Sequence, residues 1–333
     1  MYPELFKIPF THLTVYTYGA MLVVGFLSAI YLIRRLSRDI TLNPAHITNA
    51  ALYALIAGIA GARLFYVVHY FESFKDNLLS VFAIWSGGLE LLGGVIAAIS
   101  VIILYMRRHK LPIRKYLDIL AIALMLALAF GRIGCFFRGC CYGKPTDLPW
   151  AIRFPYGSDA YISQIYPDPQ RNRPEPQLEL PEDFFGYYEK DGQILYGLKK
   201  KEALTPEQKD MVTSGPYRCL PVHPTQLYSS INAAILCMLL YLFWRRTKKN
   251  NSNRNNGKFL AKDGCTFALM LILYGITRFL IEFVRDDNPY EFDGLTISQN
   301  ISIVLVILGT ILMVIFEKYP FKSTPSRPSS NQK

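Results

Sequence analysis

Charge is scarce in this chain. Of its 333 residues only 18% are Asp, Glu, Lys or Arg, against roughly 25% in soluble proteins, which excludes an ordinary soluble enzyme. No secretory leader is expected at the N-terminus either. The chain opens on Glu4 and a single Lys7 instead of a basic stretch, and no small-residue cleavage site follows a short apolar core. No Gly-Lys-Ser/Thr closes a glycine-rich run, so no nucleotide-phosphate loop is expected. There is no C-x2-C pair and no internal repeat, which removes the common zinc modules and the solenoids. Disorder is excluded for most of the length by 46 aromatic residues and abundant Leu and Ile.

What the chain has in quantity is long apolar runs. About 20 mostly apolar residues span a bilayer, and seven runs qualify: Val15–Ile33, Ile47–Val68, Leu91–Tyr105, Leu117–Phe137, Gln226–Trp244, Cys265–Val284 and Leu295–Phe316. The third is the shortest, and Gly87, Gly88, Gly93 and Gly94 loosen its start. The expected fold is an all-α polytopic membrane protein of seven helices. Residues 1–137 would hold helices 1–4, residues 138–225 a small mixed extracytoplasmic head, residues 226–316 helices 5–7, and residues 317–333 a disordered tail. Within the head, Gln193–Tyr196 reads as a short strand among turns.

The net charge of +11 is distributed by topology. Nineteen of the 36 cations fall in alternate connections (after span 1, at 106–115, at 245–262 and in the tail), whereas Lys75 and Arg285 stand alone in the short intervening loops. The positive-inside rule then puts the N-terminus in the periplasm and the C-terminus in the cytoplasm of a bacterial inner membrane. Cations are not interleaved with aromatics on one face, so no nucleic-acid partner is expected.

Ionisable groups inside a membrane cost about 2.5–3.5 kcal/mol even on insertion scales and mark function by default. Four stand well within the spans: Arg63, Arg132, Arg278 and Glu282. At 1.5 Å per residue the three arginines lie roughly 20–24 Å above the inner boundary, at one level. Glu282, four residues after Arg278, shares its face and can pair with it. The unmatched positive charge calls for an anion, and at this depth that is a phospholipid headgroup, which a guanidinium fork binds bidentately. The other reading is that these arginines snorkel or cap backbone carbonyls. Ala54, Gly58, Gly61 and Ala62 form a small-residue seam for close helix approach. Gly131, Gly134, Gly139 and Gly143 around Arg132 are expected to break the helix and line a cavity.

Cys237 and Cys265 lie in spans and read as buried apolar residues. Cys135, Cys140, Cys141 and Cys219 lie at or beyond the outer surface, where one or two disulfides are expected; a metal on Cys219, His223 and the Cys140-Cys141 pair is the lesser reading, and no metal or other cofactor is expected. His223 opens span 5 in His223-Pro224-Thr225-Gln226-Leu227-Tyr228, either as a cap or as part of a site.

Six ordered motifs resemble the phosphatidylglycerol–prolipoprotein diacylglyceryl transferases: Tyr18-Gly19, Gly61-Ala62-Arg63, Trp85-x-Gly87-Gly88 with Gly93-Gly94, Gly131-Arg132-Ile133-Gly134, the His223–Tyr228 run, and Tyr274-Gly275-x-x-Arg278-Phe279-x-x-Glu282-Phe283-x-Arg285. The resemblance implies transfer of diacylglyceryl from phosphatidylglycerol to the lipobox cysteine of a preprolipoprotein, forming a thioether and releasing glycerol phosphate. It implies that Arg132 binds the headgroup, that Arg278 and Glu282 form an important polar pair, and that Tyr18 and Gly143 are needed for activity. This sequence departs from the pattern at three positions. Cys135 stands where the family has Asn, Cys140 where it has an acid, and Leu92 where it has a histidine assigned as base.

The expected chemistry is attack of a thiol on a glycerol carbon with a phosphate monoester leaving. Nearby cations lower the thiol pKa and stabilise the departing charge. Arg132 and Arg278, with Arg63 at their level, would hold the phosphate; Glu282 would orient Arg278; His223, or secondarily Glu282, would take the proton. The alternative is a thiol-redox or lipid-binding membrane protein on the same scaffold.

Overall fold

The computed structural model describes residues 4–7, 14–39, 44–75, 77–83, 87–190, 193–252, 262–292 and 294–319. Trp85 of the third motif, residues 253–261 of the basic connection at 245–262, and the tail from 320 lie outside the described residues.

A small β1–β2 hairpin (Glu4–Lys7 and Thr14–Tyr16) leads into α1 (Thr17–Asp39), α2 (Pro44–His69), α3 (Leu91–Arg108) and α4 (Ile113–Arg138). Short elements follow: α5 (Asp159–Ile165), the strands β3 (Phe185–Lys190) and β4 (Gln193–Leu198), and α6 (Pro206–Thr213). Then come α7 (Thr225–Ser252), α8 (Cys265–Glu282), a β5–β6 hairpin (Tyr290–Phe292 and Leu295–Thr296) and α9 (Ile297–Lys318). Among the described residues, six helices are long and apolar enough to cross a membrane, over 17–38, 48–69, 113–138, 225–248, 265–282 and 297–318. The chain is accordingly a polytopic membrane protein. The third expected span forms α3 but is not among the six; Arg107 and Arg108 occupy its last turn, so its uncharged part falls short of the ~20 residues that a full crossing takes.

The helices pack in a continuous series in which α3 lies on α2, α2 on α1, α1 on α4, α4 on α7 and α8, and α8 on α9. Their mutual core is one cluster that includes Ile33, Leu36, Tyr116, Ile119, Ile122, Met125, Leu240 and Trp244. The outward faces remain apolar and exposed, as with Leu22, Val23 and Leu27 on α1 or Ile303, Val304 and Ile307 on α9, the pattern lipid would cover. The seam on α2 has its expected use: a Cβ at Gly61 would sit 2.7 Å from the Gly93 carbonyl oxygen, so α2 and α3 touch backbone to backbone.

Two polar layers close the ends. At one end the carboxylate of Asp118, buried on α4, accepts from the backbone N–H groups of Gly264 (2.8 Å) and Phe267 (3.0 Å) at the start of α8, satisfying donors that a helix N-terminus leaves open. Arg114 donates to the Tyr319 carbonyl there, with its guanidinium over the Phe316 ring. The opposite end carries the short elements between α4 and α7, built on a second core of Tyr142, Phe154, Tyr161, Phe184, Val212 and Val222. Here β3 and β4 form an antiparallel hairpin from Phe185↔Leu198 to Lys190↔Gln193, and the strand expected at 193–196 is part of β4. Thr205 and Gln208 form a capping box on α6.

Candidate active site

The glycines of α4 do not break it where the sequence led us to expect. The helix runs through Gly131 and Gly134 and ends only at Arg138, followed by Gly139 at φ +83°. Gly134 instead makes room for a neighbour: a Cβ there would lie 3.2 Å from both Met21 Cβ and Tyr18 Cδ2 of α1. After the cap the chain turns again at Cys141, a non-glycine residue at φ +58°, a conformation that costs L-residues about 1–2 kcal/mol. The opening of α7 holds this turn. Thr225 Oγ1 donates to the Cys141 carbonyl and Gln226 Nε2 to the Cys140 carbonyl, each at 2.7 Å. That is the structural role of the Thr225-Gln226 part of the motif.

Gly143 then runs between two backbones. Its N–H donates to the His223 carbonyl at 3.1 Å, and Lys144 N–H donates to the Val284 carbonyl at 2.9 Å. A Cβ at Gly143 would fall 2.7 Å from both the His223 and the Val284 carbonyl oxygens, so only glycine fits. The segment between α4 and α7 is locked onto the same place by Arg173, paired with Asp286 at 3.1 Å, and by Arg171, which donates to the Asp286 carbonyl at 2.8 Å.

Into this crossing point α4, α7, α8, α9 and the start of α1 bring their polar side chains. The three sulfurs of Cys135, Cys140 and Cys141 lie within 4.8 Å of one another. Arg132 Nη1 donates to Cys141 Sγ at 3.5 Å, and this is the one hydrogen bond of the Arg132 side chain among the described residues. Tyr18 is within electrostatic reach of all three thiols. Hydrogen bonds from Cys135 and Cys140, helped by the charges of Arg285 and Arg132, hold the Cys141 thiol far below its ordinary pKa. The hydrogen bond to Cys135 pushes Cys140 the other way.

The pairing of Arg278 with Glu282, expected from the i,i+4 spacing, is present, and Arg278 Nη2 also donates to Ser298 Oγ at 2.7 Å. Glu282 is a hub. It is 4% exposed, accepts from Asn288 Nδ2 and from Thr296 Oγ1 (2.8 Å), and lies 3.6 Å from Arg285 Nε. Arg285 Nε donates to Asp287 Oδ1 at 2.8 Å. Burial opposes the Arg285 charge, but Asp287 outweighs it and holds that guanidinium firmly protonated.

Arg63 is elsewhere. Its Nε donates to the Val81 carbonyl (2.8 Å), Nη1 to those of Gly87 (2.7 Å) and Gly88 (3.0 Å), and Nη2 to that of Ser80 (2.6 Å). It serves the carbonyls of the 80–88 connection, the second of the two roles considered above, and does not join Arg132 and Arg278. His223 lies at the edge of the crossing, its Nδ1 3.3 Å from Tyr228 Oη. Burial pushes its pKa below the usual histidine value, so it is neutral at pH 7.

The disulfide expectation is not met: all six cysteines are free. Cys219 belongs to the second core, between α4 and α7, where its Sγ lies 3.4 Å from Gln164 Oε1 and burial pushes its pKa up to about 11. It is no partner for the cluster.

The match to known proteins runs the length of the chain. Residues 3–315 fit the family model described as prolipoprotein diacylglyceryl transferase. The chain belongs to that family. Among its relatives, a protein of Clostridium tetani is 28% identical over 93% of this chain and 95% of its own length. One of Proteus mirabilis is 28% identical over 99% and 98%, and one of Photorhabdus laumondii 30% over 89% and 87%. Each is named phosphatidylglycerol–prolipoprotein diacylglyceryl transferase. Membership makes the chain a transferase, and the redox or lipid-binding alternative is not favoured.

Two features escaped the sequence. Arg285 was counted there among topological charges, although it ends the same motif as Arg278 and Glu282. The other is a pair between His69 Nδ1 and Glu90 Oε1 at 2.6 Å, two residues before Leu92. The exposed Leu92 offers no proton acceptor.

Proposed function

We propose that this transferase moves diacylglyceryl from phosphatidylglycerol to the cysteine thiol in the lipobox of a preprolipoprotein, releasing glycerol phosphate. It does so as a seven-span inner-membrane protein, α3 included, with its N-terminus and head in the periplasm and its C-terminus in the cytoplasm. One observation carries the reading: Arg132, which alone among the intramembrane arginines is without a carboxylate or carbonyl partner among the described residues, points at a nucleophile-rich turn beside the Arg278–Glu282–Arg285 network.

Charge accounting assigns the roles. Arg278 is balanced by Glu282 and Arg285 by Asp287, whereas Arg132 has Nε and Nη2 left for phosphate oxygens, a charge-assisted interaction. Arg132 therefore binds the headgroup and meets the negative charge that gathers on the leaving phosphate. Glu282 is a positioning residue that holds Arg278, Arg285 and the α8–α9 connection in register. Neutral His223 accepts the proton of the incoming thiol. Tyr18 and Gly143 complete the wall, the first as a phenol beside the thiols and the second by letting three backbones meet. Arg63 shapes the 80–88 connection next to the lipid rather than holding phosphate.

The test is complementation of a strain depleted of its own transferase, read by lipid-labelled lipoprotein. The wild-type chain restores labelling and Arg132→Ala, inserted at equal level, does not. Labelling restored equally by both would end the headgroup assignment, and failure of the wild type despite correct insertion would end the functional reading.

A further inference from the structure

Three thiols within 4.8 Å of one another, in a molecule whose cysteines are all free, are more than a transfer site with a histidine base would require. We propose that Cys135, Cys140 and Cys141 bind one zinc ion through their three sulfurs. The fourth position stays open, and there the substrate's cysteine sulfur is bound and activated. The activation half of this proposal rests on the transferase reading; the metal site does not.

Tetrahedral zinc with Zn–S near 2.3 Å places its sulfurs about 3.8 Å apart, and the three sulfurs here lie within 4.8 Å of one another. The backbone is already arranged for it. Cys135 lies one turn before the end of α4, the Gly139 cap reverses the chain, and the left-handed Cys141 lets two consecutive residues turn their sulfurs to the same point. Thr225 and Gln226 fix that turn from outside through its carbonyls. Gln226 itself is fully buried, which keeps its side chain in place against the turn.

Charge favours the site as well. Three thiolates around a divalent ion carry one net negative charge, and Arg132 and Arg285 are the neighbours that meet it. A catalytic zinc typically has three protein ligands and an open position, and a thiol that coordinates zinc is deprotonated outright.

The step balances without oxidant or reductant. The substrate thiol loses its proton to His223 or solvent on coordination. Its sulfur attacks the terminal glyceryl carbon, the C–S bond forms as the C–O bond to phosphate breaks, and the electron pair leaves on the phosphate oxygen. Thioether and glycerol phosphate are the products.

The test uses the full chain, purified in phosphatidylglycerol-containing vesicles under a thiol reductant. Elemental analysis should find one zinc per chain, and cobalt(II) in its place should give intense thiolate-to-metal absorption. Cys135→Ser, Cys140→Ser and Cys141→Ser should each weaken zinc by more than the roughly 10–100-fold that loss of an outer-shell partner costs, whereas Cys237→Ser should bind as wild type. Should the serine variants not insert, zinc must protect three of the six thiols of the wild type from alkylation. Substoichiometric zinc with no cobalt–thiolate band, or a Cys135–Cys140 disulfide in the reduced protein, overturns the site. Chelation should lower transfer roughly 10²-fold or more, the scale of proton-transfer catalysis, with zinc restoring it. Full transfer by the chelated protein overturns the activation role and leaves the transferase reading standing. Zinc bound by the three cysteines with no transfer in any metal state upholds the site and overturns that reading, and activation with it.

Discussion

At the scale of single residues, a hydrogen-bond inventory separates arginines that looked alike in the sequence. Arg63 spends four N–H groups on carbonyls, Arg278 is neutralised by Glu282, and Arg132 keeps donors in reserve. Arg132→Ala should therefore lower kcat/KM for transfer by about 10²–10³-fold, the cost of removing one donor to a developing oxyanion. Arg63→Lys, which reaches fewer carbonyls, should act mainly on stability. His223 gives a pH signature. Its pKa is depressed and its neutral form is the proton acceptor, so activity should be full at neutral pH and fall as pH drops through a value below 6.5. His223→Gln should flatten that acidic limb; an unchanged limb would remove His223 as the acceptor. The i,i+4 pairing of Arg278 and Glu282 was legible from spacing alone because a helix fixes it. That Cys141 would meet Arg132 was not, since it depends on a left-handed residue just after a helix cap, and nothing local in the sequence marks a cysteine for that conformation.

Among the elements, the decisive one is the turn from Gly139 to Lys144, threaded between the start of α7 and the end of α8. Gly143→Ala would put a methyl 2.7 Å from two carbonyl oxygens, and should destabilise the protein by about 1–3 kcal/mol, as overpacking does, while abolishing transfer. Thermal unfolding followed by circular dichroism measures the first part. Glu282→Gln should cost more, about 3–5 kcal/mol, because it leaves the buried Arg278 and Arg285 without their shared carboxylate. A midpoint within a degree of wild type would contradict the hub role. Helix positions were readable from apolar runs, since the spans must satisfy their backbones internally. The continuation of α4 through two glycines was not readable: α1 packs against Gly134 and supplies tertiary support that local propensity omits.

For the whole molecule, the alternation of basic connections with neutral ones becomes two distinct ends, one with Asp118, Arg114 and the start of α8, the other with the thiols, the arginine network and the short elements between α4 and α7. Trypsin added to intact spheroplasts should cut at the exposed Lys200 and Lys201 and spare the exposed Arg107 and Arg108; the reverse pattern would invert the topology. Under the topology proposed above, the chemistry lies where a periplasmic thiol and an outer-leaflet lipid can both arrive. The central claim is that Arg132 and the cysteine turn form one site for transferring a glyceryl group from a phospholipid to a thiol. Its most direct measurement is mass spectrometry of a lipobox peptide incubated with the reconstituted protein and phosphatidylglycerol. The account predicts a peptide heavier by one diacylglyceryl group, held through its cysteine sulfur, with equimolar glycerol phosphate from wild type and almost none from Arg132→Ala. An unmodified peptide with wild type, or equal modification by both proteins, would contradict it.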